Sequence, residues 1–120
     1  PGTDSPGAAK FSDMATAAGF KSGPFAMESY DAAALMLLAM EAAKSSDSQV
    51  YKSKIMDIAN APGEKIYPGE LDKALHLIED GKDIDYVGAS AVELVGGGES
   101  AGNYAQIEVQ NQKNVTVAYR

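Results

Sequence analysis

The chain has 120 residues, 45% of them hydrophobic and 22% charged, which is the balance of a folded domain and not of a disordered segment. Ten Lys and Arg stand against 17 Asp and Glu, and this formal charge of -7 with no basic block excludes the electrostatic footprint of a nucleic-acid binder or of a protein held on an anionic membrane. The absence of cysteine excludes disulfides, thiol nucleophiles and Cys-ligated zinc, but is silent on compartment.

Pro1 stands where an initiator Met would, with no basic or apolar leader after it, and reads as an internal cut in a longer chain. Asp4 to Gly7 forms a turn feeding a helix over roughly 6–18, with Ser5 as N-cap, Pro6 at the first helical position and Gly19 as the left-handed stop. Phe11, Met14, Ala15 and Ala18 make its apolar stripe. Phe20 to Phe25 is a connector broken by Gly23 and Pro24, so it presents two aromatics on a short loop.

A second helix begins near Met27 and ends near Lys44. Every residue from Ala32 to Met40 is apolar, which predicts a helix covered on more than one side. Asp31 and Glu41 bracket that run, leaving it well short of the roughly 18 apolar residues of a membrane span. Ser46 with Gln49 has the spacing of a capping box opening a third helix, whose stripe of Tyr51, Ile55 and Ile58 ends at Asn60 to Gly63. Leu71, Ala74, Leu75 and Ile78 give a fourth helix from Glu70 to Asp80, closed by Gly81.

Beyond Gly81 the period changes. Tyr86 to Leu94 reads as a strand, Gly96 to Gly102 as a flexible loop, and Tyr104 to Arg120 as a hairpin of two half-buried strands, because Ala105, Ile107 and Val109, then Val115, Val117 and Tyr119, alternate with polar residues. The expected fold is α/β, or α+β if the chain is an isolated piece, with about four helices, a few strands and a C-terminal hairpin.

Chemistry-bearing residues are sparse. His76 is the single histidine, mid-helix and without metal-ligand neighbours, and reads as a surface or satisfied core residue. Glu79, Asp80, Asp83 and Asp85 lack the spacing of a calcium loop and read as a solvated turn. Gly96 to Gly98 lacks the Gly-Lys-Ser/Thr ending and following helix of a phosphate loop. No metal, cofactor or nucleophile constellation emerges, so an enzyme is not expected. Phe20 and Phe25, beside a buried helix, are placed to cap a pocket.

The order of motifs resembles one family. A helix, a Gly-containing loop, Ser29-Tyr-Asp-Ala32 opening an apolar helix, a further helix, Ile66-Tyr-Pro-Gly-Glu70, Gly81-Lys-Asp-Ile-Asp-Tyr-Val-Gly-Ala-Ser90, a Gly/Glu loop and a final strand resemble the C-terminal third of the branched-chain amino-acid type periplasmic binding proteins of ABC transporters. The resemblance implies a part of a type I periplasmic-binding-protein fold, with residues 1–103 in the C-terminal portion of the first lobe and 104–120 as terminal strands after the last crossover. It also implies a periplasmic or extracytoplasmic location, an ABC permease as partner, a small solute such as a branched-chain or related amino acid as ligand, and no cofactor. Gly23-Pro24-Phe25 is similar to the segment where leucine-binding members set an aromatic against the ligand side chain, which makes Phe25 the ligand-contact candidate. Val92 to Ser100 departs from the Phe-Asp-x-x-Gly-Asp that many members carry there. If most of both lobes is missing, the isolated chain exposes apolar surface and is expected to assemble as a homodimer. A freestanding α+β homo-oligomeric interaction domain is the alternative reading.

Overall fold

Proline and glycine breakers separate the elements of a computed structural model that describes residues 2–120. Pro6 starts helix α1 (Pro6–Ala17), and the chain leaves it through left-handed Gly19, where Phe20 N–H donates to Ala15 O and Gly19 N–H to Thr16 O. That reciprocal pair satisfies two carbonyls that the helix end would otherwise leave open. The Ser5 side chain makes no capping bond; Ser5 N–H instead donates to the Thr3 hydroxyl.

Helix α2 (Ala26–Ala43) is the longest element. Its buried residues, Asp31, Ala34, Leu35, Leu38 and Ala39, follow the i, i+3, i+4, i+7, i+8 pattern of a single face. The expected coverage on more than one side is not what the structure has: Met36 is 41% and Leu37 57% exposed. One layer packs beneath the helix and nothing among the described residues lies above it.

The predicted third helix is broken into α3 (Ser48–Tyr51), a 3-10 turn at Lys52–Lys54 and α4 (Ile55–Ala59). Its cap is Asp47, whose side chain accepts from Gln49 N–H at 2.8 Å, and not Ser46. Ser45 Oγ in turn accepts from Asp47 N–H, so consecutive polar side chains wind the entry turn.

A strand absent from the sequence expectations follows. Strand β1 (Glu64–Ile66) runs parallel to β2 (Ile84–Tyr86), the two being joined through helix α5 (Leu71–Glu79) as a βαβ unit. Left-handed Gly81 closes α5 with the same pair of bonds as in α1, Gly81 N–H to Ile78 O and Lys82 N–H to Leu77 O. The strand expected at 86–94 therefore begins earlier and stops at Tyr86, because left-handed Gly88 turns the chain immediately after it. In α5 the inward side chains are Ala74, Leu71, Leu77 and Ile78, while Leu75 faces outward at 37% exposure.

Leu35, Leu38, Ile58, Ile66, Ile84 and Tyr86 make the main core, where α2 and α4 meet the parallel pair. Each such aliphatic chain contributes about 1.5–3 kcal/mol on burial. A smaller cluster seats α1: Phe11, Ala15 and Ala89 pack with Met27 and Tyr30, the Phe11 and Tyr30 rings being 5.4 Å apart and tilted by 58°.

The Gly96 to Gly102 stretch forms in part a tight hairpin, β3 (Leu94–Val95) with β4 (Glu99–Ser100). Asn60 fixes it from a distance, donating to Leu94 O and accepting from Leu94 N–H as a neighbouring strand would. The C-terminal hairpin is present as expected, β5 (Ala105–Gln110) against β6 (Lys113–Tyr119), turning through Asn111 and Gln112, both left-handed. Its strands are not half-buried: Ile107 is 55% and Val109 74% exposed, since among the described residues no second layer meets either face. The chain is thus an α+β arrangement of helices around a two-stranded parallel core with two further hairpins. No helix of the described residues is long and apolar enough to cross a membrane.

Candidate functional site

The carboxyl end of β2 is where the two sequence motifs meet. Asp31, on the buried face of α2 and 2% exposed, accepts four hydrogen bonds: from Tyr86 Oη at 2.9 Å, Ala89 N–H at 2.8 Å, Ser90 N–H at 2.7 Å and Ser90 Oγ at 2.6 Å. A buried carboxylate is tolerated only when its oxygens are satisfied in this way. The Tyr-Asp-Ala start of the apolar helix is thereby locked to the Tyr-Val-Gly-Ala-Ser turn. Gly88 permits the approach, having φ +63 and no room for a Cβ against the Asp31 carboxylate and the Tyr86 ring. Gly7 of α1 lies directly against the Gly88 carbonyl, so three elements converge there.

Burial first, and then the negative charge and hydrogen bond of Asp31, push the Tyr86 hydroxyl far above its ordinary value. The folded chain keeps Tyr86 protonated while the unfolded chain ionises it at about pH 10. This contribution is complete below that pH and is lost as pH rises above it. The urea midpoint is expected to fall more steeply between about pH 9 and 11 in the parent than in Tyr86→Phe; equal slopes would refute the coupling.

Above this network sits the N-terminal end of α2. Phe25 holds the N-cap position with φ 62, a left-handed conformation uncommon for a bulky residue, and the residue is 61% exposed. Its carbonyl is tied down by both Ser29 N–H and Ser29 Oγ, the latter at 2.8 Å. Phe25 borders a cavity of about 250 Å³ whose other walls include Glu28, Ser90, Asn103 and Tyr104. Asn103 Nδ2 donates to Ser90 O and Ala91 O, both at 3.1 Å, so the loop after β4 is pinned to the turn after β2, and both segments contribute to the cavity lining.

Phe20 lies elsewhere, in an apolar groove with Phe11, Met14 and Tyr30. The two loop aromatics are thus not brought together. His76 is exposed, its Nδ1 2.8 Å from Asp72 O. Glu79, Asp80 and Asp83 face solvent, Asp85 is half-buried, and among the described residues no cluster of His, Cys, Asp or Glu could hold a metal ion. In the glycine hairpin Gly97 N–H donates to Glu99 Oε2, so the loop's own carboxylate takes the place an anion would need.

Asp31, Glu28 and Tyr104 are not residues that the sequence alone singles out for a site. For Asp31 a signal existed: it is in phase with Ala34, Leu35 and Leu38, and a carboxylate on that face must find donors. For Glu28 and Tyr104, separated by most of the chain, no local pattern could have joined them. No family model matches the chain, and comparison with curated proteins and with solved structures returns no match.

Proposed function

We propose that the chain is part of the solute-binding component of an ABC importer, of the branched-chain amino-acid type, working outside the cytoplasm and delivering a small amino acid or related amide to its permease. In this reading residues 1–103 are the C-terminal portion of the first lobe of a type I periplasmic-binding-protein fold, and 104–120 are the strands after the last crossover. The observation that carries it is the cavity at the start of α2, where Phe25, held in a strained conformation and largely exposed, forms an apolar wall above the Asp31 network. The interlocking of the Tyr-Asp-Ala and Gly-Ala-Ser stretches through Asp31 supports it further.

Such a protein works by favouring a closed state when ligand is bound, with no covalent step and no cofactor. The opposing lobe would supply most of the polar grip on the solute, so this chain alone holds one wall. Calorimetry with a panel of amino acids is expected to show no micromolar binding to these 120 residues. Micromolar affinity would mean that a second lobe is dispensable and would overturn the reading.

A second reading, a homo-oligomeric α+β interaction domain, is favoured by one observation: α2 exposes Ala33, Met36 and Leu37 side by side along its outer face. A copy of the chain could cover that stripe, and self-association is expected on either reading. Light scattering in solution is the measurement, and a stable monomer of 12.5 kDa would refute it.

A further inference from the structure

We infer that the chain dimerises about a two-fold axis through the bare face of α2, the two helices running antiparallel so that Ser29 and Ala33 of one copy seat Met40 and Met36 of the other. The inference rests on the self-association reading of that stripe and fixes its geometry. Ser29, Ala33, Met36 and Met40 stand in line on the outer face at steps of four, three and four residues, with Ala32 and Leu37 flanking them. These are the steps of a coiled-coil seam, where two helices cross at a shallow angle of about 20°. Met40 is half-buried and the other five are exposed.

The order of sizes along the seam identifies the occupant. Its first half is small, Ser29, Ala32 and Ala33, and its second half is large, Met36, Leu37 and Met40. A two-fold axis passing between Ala34 and Leu35 turns the helix end for end, so that Ala33 meets Met36 and Ser29 meets Met40 of a second copy. Each small residue then leaves the hole that a long, flexible thioether fills. A parallel pair would instead set Met36 on Met36 and Ser29 on Ser29, one end crowded and the other empty. The stripe is thus knob and hole at once, which an isologous interface requires of its surface.

No charged residue lies in the seam, so two chains of formal charge -7 meet where like charges are absent, and Glu41 beside it already holds Lys44. The 18 residues of α2 give a contact about 27 Å long. With the flanking side chains this is on the order of 1,000 Å2, the low end of specific interfaces, so dissociation is expected at about 10–100 µM.

Sedimentation of the 120-residue chain from about 5 to about 500 µM is expected to show a reversible monomer–dimer equilibrium. Because the chain lacks cysteine, introduced thiols read the geometry directly. Ser29 and Met40 lie about 16 Å apart along one helix, beyond the reach of a disulfide, whose Cα atoms must come within about 7 Å. Ser29→Cys and Met40→Cys, prepared separately with tags of different mass, are therefore expected to give at least ten-fold more cross-linked dimer when mixed and oxidised than either gives alone. Self-linking of each variant alone would mean a parallel contact, and a dimer that cross-links in neither way would place the contact elsewhere; both results overturn the geometry and leave self-association standing. On the unaltered chain, raising the concentration through the dissociation range is expected to shift the amide NMR signals of Ala33 and Met36 and to leave that of Asn111 in place, a readout that holds even if a variant fails to fold. Shifts confined to the terminal hairpin overturn the placement. A chain still monomeric at about 500 µM overturns the geometry and the self-association reading together.

Discussion

Replacing Asp31 with Ala is expected to lower the unfolding free energy by about 3–5 kcal/mol, read as a shift of the urea midpoint at unchanged slope. The substitution strands Tyr86 Oη and the Ala89 and Ser90 amides, donors that converge on one carboxylate inside the core. Each buried donor left without an acceptor costs about 1–3 kcal/mol, and charge-assisted bonds of this length stand at the stronger end of the range. Asp31→Asn is expected to lose somewhat less, because its carbonyl still accepts while its NH2 opposes donors. Since a domain of this size is held together by about 5–15 kcal/mol, Asp31→Ala removes a large share of the total. A loss under about 1 kcal/mol would show that the donors find water or other partners and that the network is not what joins α2 to the turn after β2.

The second large effect is expected at Gly88. An alanine there carries a φ of +63, costing about 1–2 kcal/mol, and its Cβ meets the Asp31 carboxylate and Tyr86 Cε1, the latter at 2.6 Å. Together these are expected to destabilise Gly88→Ala by about 3–4 kcal/mol in chemical denaturation. The same residue borders Asp31, so the two substitutions cannot be independent. In an Asp31→Ala background, Gly88→Ala is expected to cost about 2–3 kcal/mol, the strain and the contact with Tyr86 without the collision with the carboxylate. Additive losses would mean that Gly88 is required for its backbone angle and its contact with Tyr86, and not for the approach of the carboxylate. Gly7→Ala probes the neighbouring contact, where a methyl would overlap the Gly88 carbonyl and lift α1 from its seat.

Where the sequence was legible, local physics was in command. Pro6, Gly19 and Gly81 bounded helices as expected, because capping and left-handed stops depend on residues within one turn. The Asn111 turn and the alternation on either side of it located the terminal hairpin for the same reason. Where several polar residues compete locally, the expectation slipped: Asp47 took the cap expected of Ser46, and the third helix broke at Lys52 to Lys54. Strand β1 was not legible because Glu64-Lys-Ile66 has one buried apolar residue and becomes a strand only through its parallel partner some twenty residues on.

The sequence by itself determined the first, second and fourth of the predicted helices and their stops, the position of the terminal hairpin, the acidic surface and the aromatic Phe25 at the doorstep of the apolar helix. These follow from side-chain sterics, hydrogen bonds and charge acting over a few residues. Only the tertiary structure decided that Asp31 is the anchor of the core, that α2 is covered on one face and bare on the other, and that Glu28, Ser90, Asn103 and Tyr104 share a cavity with Phe25. Burial and pairing across the chain depend on which surfaces meet in space, and an all-apolar run such as Ala32 to Met40 carries no mark of the side that will be left uncovered.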